Sequence, residues 1–150
     1  MKLGSAATRP VRFLIVEDDD AHAELICRNL RRSGFPHIYE RVSDGRQAID
    51  FLRREGEFAF AERPDVVLLD LKLPRMTGHE VLDQIKNDPK LRSLPVVVLT
   101  TSDAIDDRLR AYDLRANSYL VKPLDYDQFR QVVTDMGSYW GRWNRPSPDC

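Results

Sequence analysis

A chain of 150 residues, 42% of them hydrophobic and 31% charged, carries enough apolar material for one domain with a real core and is short for two. Its formal net charge of −1 excludes the global basic excess that draws proteins to nucleic acid or to a membrane surface, so charge-driven chemistry here must be local. The opening MKLGSAATRP has no apolar stretch of signal-peptide length, no run approaches the roughly 20 apolar residues that span a bilayer, and Cys27 and Cys150 have neither metal-type nor disulfide-framework spacing; a cytoplasmic protein is expected.

Short β-branched runs alternate with segments of helical spacing. Residues 11–16 (VRFLIV) predict a first strand and 21–32 a helix. Residues 36–42 (PHIYERV) predict a second strand, followed by a helix over 46–54. The run VVLL at 66–69 predicts a third strand, with a helix over 78–87. VVVL at 96–99 and SYLV at 118–121 predict the fourth and fifth strands, with helices over 104–115 and 125–136. Strands 1, 3 and 4 are almost continuously apolar, as strands covered on both faces should be, whereas the second is mixed and belongs at an edge. Asp44-Gly45, Asp88-Pro89 and Leu94-Pro95 supply the punctuation between elements. Five strand–helix units predict a parallel α/β sandwich over 11–136. Residues 1–10 are expected to be a flexible segment, and 137–150 an extension of the fifth helix ending in a loose tail.

In an open α/β sheet the ligand site lies beyond the carboxyl ends of the strands. The residues just past each apolar run are Glu17, Asp18, Asp19 and Asp20; Asp70; Thr100, Thr101 and Ser102; Lys122 and Pro123. Each has an ordinary reading. Asp20 suits a helix N-cap, Asp70 a turn, Thr100 a strand end and Lys122 a solvated side chain. Their coincidence on one sheet edge argues for more. Several carboxylates held together repel one another unless a cation neutralises them, and a hard divalent ion such as Mg²⁺ is the natural choice. Asp18 and Asp70 are the expected direct ligands and Glu17 a ligand through water. No His or Cys stands at the strand ends, which disfavours zinc. A carboxylate in such a site can also attack phosphorus to give an aspartyl phosphate, with the Lys122 ammonium and the Thr100 hydroxyl available to the phosphoryl oxygens.

The segments FLIVEDD, VVLLDLKLPRMTGHEVL, LPVVVLTTS and SYLVKPL resemble, in order and spacing, the signature segments of the receiver domain of two-component response regulators, over about residues 11–136. The resemblance implies a flavodoxin-like (βα)5 doubly wound five-stranded parallel sheet of order 2-1-3-4-5. It implies that Asp70 is the phosphoacceptor for a histidine kinase. Glu17, where Asp is commoner, and Asp18 would be the acidic metal pair, with the backbone carbonyl of Lys72 as the third protein ligand of a Mg²⁺ ion that Mn²⁺ or Ca²⁺ can replace in a crystal. Thr100 matches the switch hydroxyl, Tyr119 the aromatic that changes rotamer with it, and Lys122 the phosphate-pairing lysine. Lys72 and Ser102 fall where the family tunes loss of the phosphoryl group, and the Lys122–Pro123 bond falls where receivers usually have a cis peptide. The implied protein is no enzyme beyond its own phosphorylation and dephosphorylation, and its output face is helix 4, strand 5 and helix 5.

Fewer than 20 residues follow the core of the fifth helix, so no DNA-binding module is expected and a stand-alone receiver is implied, with no nucleic-acid or membrane partner. EGEFAFAERPDVVLLDLKLP and the aromatic tail are similar to single-domain regulators associated with bacterial phytochromes, which implies a bacteriophytochrome-type kinase as partner and a homodimer. Phe129, Val133, Met136, Trp140 and Trp143 keep helical spacing and are the candidate dimer interface; the ordinary alternative is that Phe129, Val132, Val133 and Met136 are core. A phosphate sink or a phosphorelay shuttle is the alternative function. A Mg-dependent aspartyl-phosphate hydrolase is more remote, because the acid expected two residues after its nucleophile is replaced by Lys72. A flavin or dinucleotide protein is disfavoured by EDDDAH, which would repel phosphate.

Overall fold

The short β-branched runs form strands, and the aliphatic ones at the centre of the sheet bury both of their faces. In the computed structural model, which describes residues 9–145 and 147, the runs become β1 (Val11–Val16), β2 (His37–Val42), β3 (Val66–Leu69), β4 (Val96–Thr100) and β5 (Ser118–Val121). All pair in parallel, in the order β2-β1-β3-β4-β5. This is the flavodoxin-like arrangement, with the mixed second strand at an edge as its composition requires. Alternation along β1 divides the core between the two faces of the sheet. Leu14 and Val16 join a cluster with α2 (Gly45–Arg53), α3 (Gly78–Asn87) and α4 (Ile105–Asp113), through Ile49, Val81, Leu82, Ile85 and Ala111. Phe13 and Ile15 join the opposite cluster, against α1 (Asp20–Arg32) and α5 (Tyr126–Ser138), through Ile26, Leu30, Phe129, Val133 and Met136. Cys27 is a buried, free thiol in that second cluster. Among the described residues no helix is long and apolar enough to cross a membrane.

Two expectations are corrected. The N-cap of α1 is Asp19 and not Asp20: Asp19 has extended backbone angles and its side chain accepts from His22 N at 3.0 Å, while Asp20 is already helical and pairs instead with Arg41 at 2.9 Å. The Lys122–Pro123 bond is trans, since the described residues contain no cis peptide; trans is the lower-energy form of an X–Pro bond by about 0.5–1 kcal/mol. The fifth helix runs to Ser138 and continues as a π-helical turn, Tyr139–Trp143. That turn is seated on the domain by two small residues: Gly141 lies against the ring of buried Phe35, where a Cβ would overlap it, and Gly137 lies against Phe35 and Leu30. The expectation of a flexible start falls mostly on residues 1–8, outside the described residues; Arg9 is paired with Asp65 at 3.1 Å. Cys150 and residues 146, 148 and 149 of the tail also lie outside the described residues.

Candidate functional site

Strand order reverses at β1, whose neighbours are β2 and β3, and the crevice at that point opens at the strands' carboxyl ends. Register does the rest. Val16 pairs with Leu69, so Glu17 and Asp70 are the next residues of adjacent strands, and Asp70 N donates to Val16 O at 3.1 Å. Thr100 pairs with Val121, so Lys122 emerges beside it, its N–H donating to Thr100 O at 2.6 Å. The sequence-predicted residues therefore converge: Glu17, Asp70, Thr100 and Lys122 are all buried, and Asp18 stands exposed at the rim.

The Lys122 ammonium occupies the centre. Its Nζ donates to Glu17 Oε1 at 2.5 Å and to Asp70 Oδ2 at 3.2 Å, and lies 3.0 Å from Nδ1 of His22. The remaining carboxylate oxygens are also engaged: Asp70 Oδ1 accepts from Lys72 N at 3.3 Å, and Glu17 Oε2 from Asp19 N at 3.2 Å. Arg41 of β2 donates twice to the Glu17 carbonyl, at 2.9 and 2.7 Å, pinning the strand end from the other side. Burial is the main reason that Glu17 is pushed up to about 7, and the nearby Asp70 charge pushes the same way, against the hydrogen bond and charge of Lys122. Glu17, Asp18 and Asp70 each offer an oxygen, and these atoms lie within 4.8 Å of one another. An all-carboxylate donor set of this size suits a hard cation and not a thiophilic one.

A second set of contacts ties the loop after β4. Thr100 Oγ1 accepts from Ser102 N at 3.4 Å, and the Ser102 hydroxyl donates to Asp107 Oδ2 at 2.5 Å. Tyr119 of β5 donates its phenol to the Ser102 carbonyl at 3.0 Å, and burial pushes that phenol's pKa up. His79 of α3 reaches the Asp107 carbonyl at 3.0 Å. Any change at Thr100 is thus mechanically linked to Tyr119 and to the first turn of α4.

The aromatic stripe divides in two. Phe129, Val133 and Met136 are buried in the chain's own core, and Trp140 packs partly against the same cluster. Only Trp143, 68% exposed, and Tyr139, 53% exposed, face outward. Phe129 and Val133 are therefore committed to the fold, whereas Met136, buried as well, also lines the groove beside Leu120 and Trp140. His22, Arg41 and His79 were not singled out in the sequence. The Ile15–Arg41 pairing of β1 with β2 is the signal that would have found Arg41. His22 had none, because its partner lies 100 residues away.

A model of the response regulator receiver domain matches residues 13–134. The chain belongs to that family. This receiver is 48% identical over 143 residues to the probable methanogenesis regulatory protein FilR2 of Methanothrix harundinacea, an alignment covering 95% of this chain and 92% of that protein. It is 40% identical over 131 residues to response regulator Rcp1 of Synechocystis sp., covering 87% of this chain and 89% of that one. Among solved structures, the phosphorylated cyanobacterial phytochrome response regulator RcpA superposes with a TM-score of 0.85 at 44% identity, over 88% of this receiver and 94% of that chain. The Mn²⁺-bound form of Rcp1 superposes with a TM-score of 0.89 at 38% identity, over 92% and 99%.

Proposed function

We propose that this receiver accepts a phosphoryl group on Asp70 from a sensor histidine kinase and signals by protein contact. The observation that carries the reading is the convergence of Glu17, Asp18, Asp70, Thr100 and Lys122 on one crevice. Glu17, Asp18 and Asp70 fit a divalent cation, Mg²⁺ by preference, with the backbone carbonyl of Lys72 as a further ligand; the Mn²⁺-bound form of Rcp1 supports this by likeness. Bound there, the ion would neutralise charge on the oxygens of the transferring group. An oxygen of Asp70 forms the new O–P bond as the N–P bond of the kinase's phosphohistidine breaks, and the imidazole leaves. Lys122 exchanges Asp70 Oδ2 for a phosphoryl oxygen. The product carries roughly −1.5 to −2 added charge and three acceptor oxygens. The Thr100 hydroxyl turns to one of them, drawing in the loop that Tyr119 and Asp107 hold. The face of α4, β5 and α5 then reports the change.

The partner is a phytochrome-type kinase, a reading supported by the likeness to the cyanobacterial phytochrome response regulator RcpA and, for a bacteriophytochrome in particular, to the bacteriophytochrome response regulator RtBRR. A functional unit over 11–136 with 137–150 as an extension, and a homodimer using Trp143 and the apolar groove lined by Leu120, Val132, Met136, Tyr139 and Trp140, complete the reading. The protein is expected to gain one phosphoryl group by intact mass after incubation with acetyl phosphate and Mg²⁺, to lose the gain in chelator, and to show none as Asp70→Asn. Stoichiometric label on Asp70→Asn would sink the assignment, and a monomer by light scattering at micromolar concentration would sink the dimer.

A further inference from the structure

A lysine ammonium has three N–H donors and no acceptor. At Lys122, whose side chain is 1% exposed, all three are used: on Glu17 at the end of β1, on Asp70 at the end of β3, and on His22 in the first turn of α1. Since Lys122 can only donate, Nδ1 of His22 receives the bond with its lone pair, which places the ring's proton on Nε2. The imidazole is held in that pose from two sides. Its own backbone N–H is fixed on Asp19 Oδ1 at 3.0 Å, and its ring lies on Phe129 of α5, with centroids 5.8 Å apart. Asp19 Oδ2, at 4.0 Å from Nδ1, is beyond hydrogen-bond reach and does not compete.

A neutral acceptor at this point has a consequence that a third carboxylate would not have. Glu17, Asp18 and Asp70 already outnumber the single cation, and another anion would repel an incoming phosphoryl donor. Without any third acceptor, the ammonium would settle wholly between Glu17 and Asp70 and remain on the oxygen that has to react. We propose that His22 is a positioning residue for Lys122: it holds one N–H away from the two carboxylates, so that the Asp70 contact, the longest of the three, is the one exchanged for a phosphoryl oxygen. The inference rests on the phosphoacceptor reading above and adds to it a residue outside the matched signature positions.

The test uses the full chain as wild type, His22→Phe, His22→Gln and His22→Asn. Phenylalanine keeps the ring on Phe129 and has no acceptor. Glutamine carries its oxygen out near the Nε2 position, whereas asparagine carries it near Nδ1. With acetyl phosphate and saturating Mg²⁺, labelling is expected to slow on the order of tenfold in His22→Phe and His22→Gln, and to recover to within about threefold of wild type in His22→Asn. Long-range ¹H–¹⁵N correlation of the wild-type ring is expected to show Nε2 protonated and Nδ1 bare. Labelling of His22→Phe at the wild-type rate, absence of rescue by asparagine, or a proton on Nδ1 each overturns the proposal. A wild type that takes no label removes the phosphoacceptor reading and this one with it; a labelled wild type beside an unaffected His22→Phe removes this one alone.

Discussion

Replacing Lys122 by methionine is expected to destabilise the protein by about 3–5 kcal/mol in chelator at pH 8, read as a lower urea midpoint. The side chain is 1% exposed and is the cation shared by Glu17 and Asp70. Methionine fills similar volume, so the cost is electrostatic: two inward carboxylates lose their common counter-ion. The loss depends on pH with a definite sign. Glu17 ionises at 4.5 unfolded and at about 7 folded, so between those values the folded state holds the extra proton and wild-type stability in chelator falls as pH rises. Lys122 is one of the groups holding that value down, so in the variant Glu17 ionises at still higher pH and takes up a proton where it would otherwise be an unpaired charge. The cost of the substitution is therefore smaller at pH 5 than at pH 8. Mg²⁺ should recover part of it, because an ion bound only by the folded state stabilises by mass action. Labelling from acetyl phosphate should slow by on the order of 10²-fold even with Mg²⁺, since a donor aimed at the transferring oxygens is gone. A cost independent of pH, or labelling at the wild-type rate, contradicts this account.

How much of this was legible in the sequence follows from the same geometry. A parallel sheet places every strand's carboxyl end on one edge, so reading the first polar residues after each apolar run was enough to find Glu17, Asp18, Asp70, Thr100 and Lys122. The continuous apolarity of β1, β3 and β4 likewise marked them as central, and the mixed β2 as an edge. Local ambiguity was another matter. Asp19 and Asp20 are chemically alike and adjacent, and only the backbone turn at Asp19 decides which one caps α1. The stripe from Phe129 to Trp143 has one periodicity, yet its first part is core and its last part surface. The change comes where α5 passes beyond the sheet and its seat becomes Phe35, a residue from the turn before β2. His22 shows the limit most plainly. One imidazole among acids reads as solvated until the fifth strand delivers an ammonium to it.

The loop that carries Asp70 is held by backbone contacts as much as by side chains, and a single methyl group should expose this. Gly78 opens α3 directly beneath the Asp70–Leu71 peptide: its N–H donates to Leu71 O at 2.9 Å, and a Cβ there would overlap Asp70 O and stand 2.5 Å from Leu71 Cα. Neither atom can rotate away, because both are main chain. The helix is also held from behind, because Val81, Leu82 and Ile85 are buried in the core, and reciprocal side-chain bonds of Thr77 and Glu80 at 3.2 and 2.9 Å keep its first turn in shape. Gly78→Ala is accordingly expected to cost about 2–3 kcal/mol, toward the upper end for overpacking, although alanine is otherwise the better helix former. The displaced atoms belong to the peptide of Asp70, the proposed phosphoacceptor, so labelling should also slow, by on the order of tenfold for a shift of a few tenths of an ångström. Gly56→Ala separates the two effects. Gly56 has φ +60° with open space where a Cβ would go, so alanine there costs about 1–2 kcal/mol of backbone strain without touching the site. Urea midpoints and acetyl phosphate labelling on both variants decide the matter: Gly56→Ala should lose stability and keep its labelling rate, and Gly78→Ala should lose both. Equal labelling in the two would mean that the contact beneath Asp70 holds the fold and does not set the position of the reacting carboxylate.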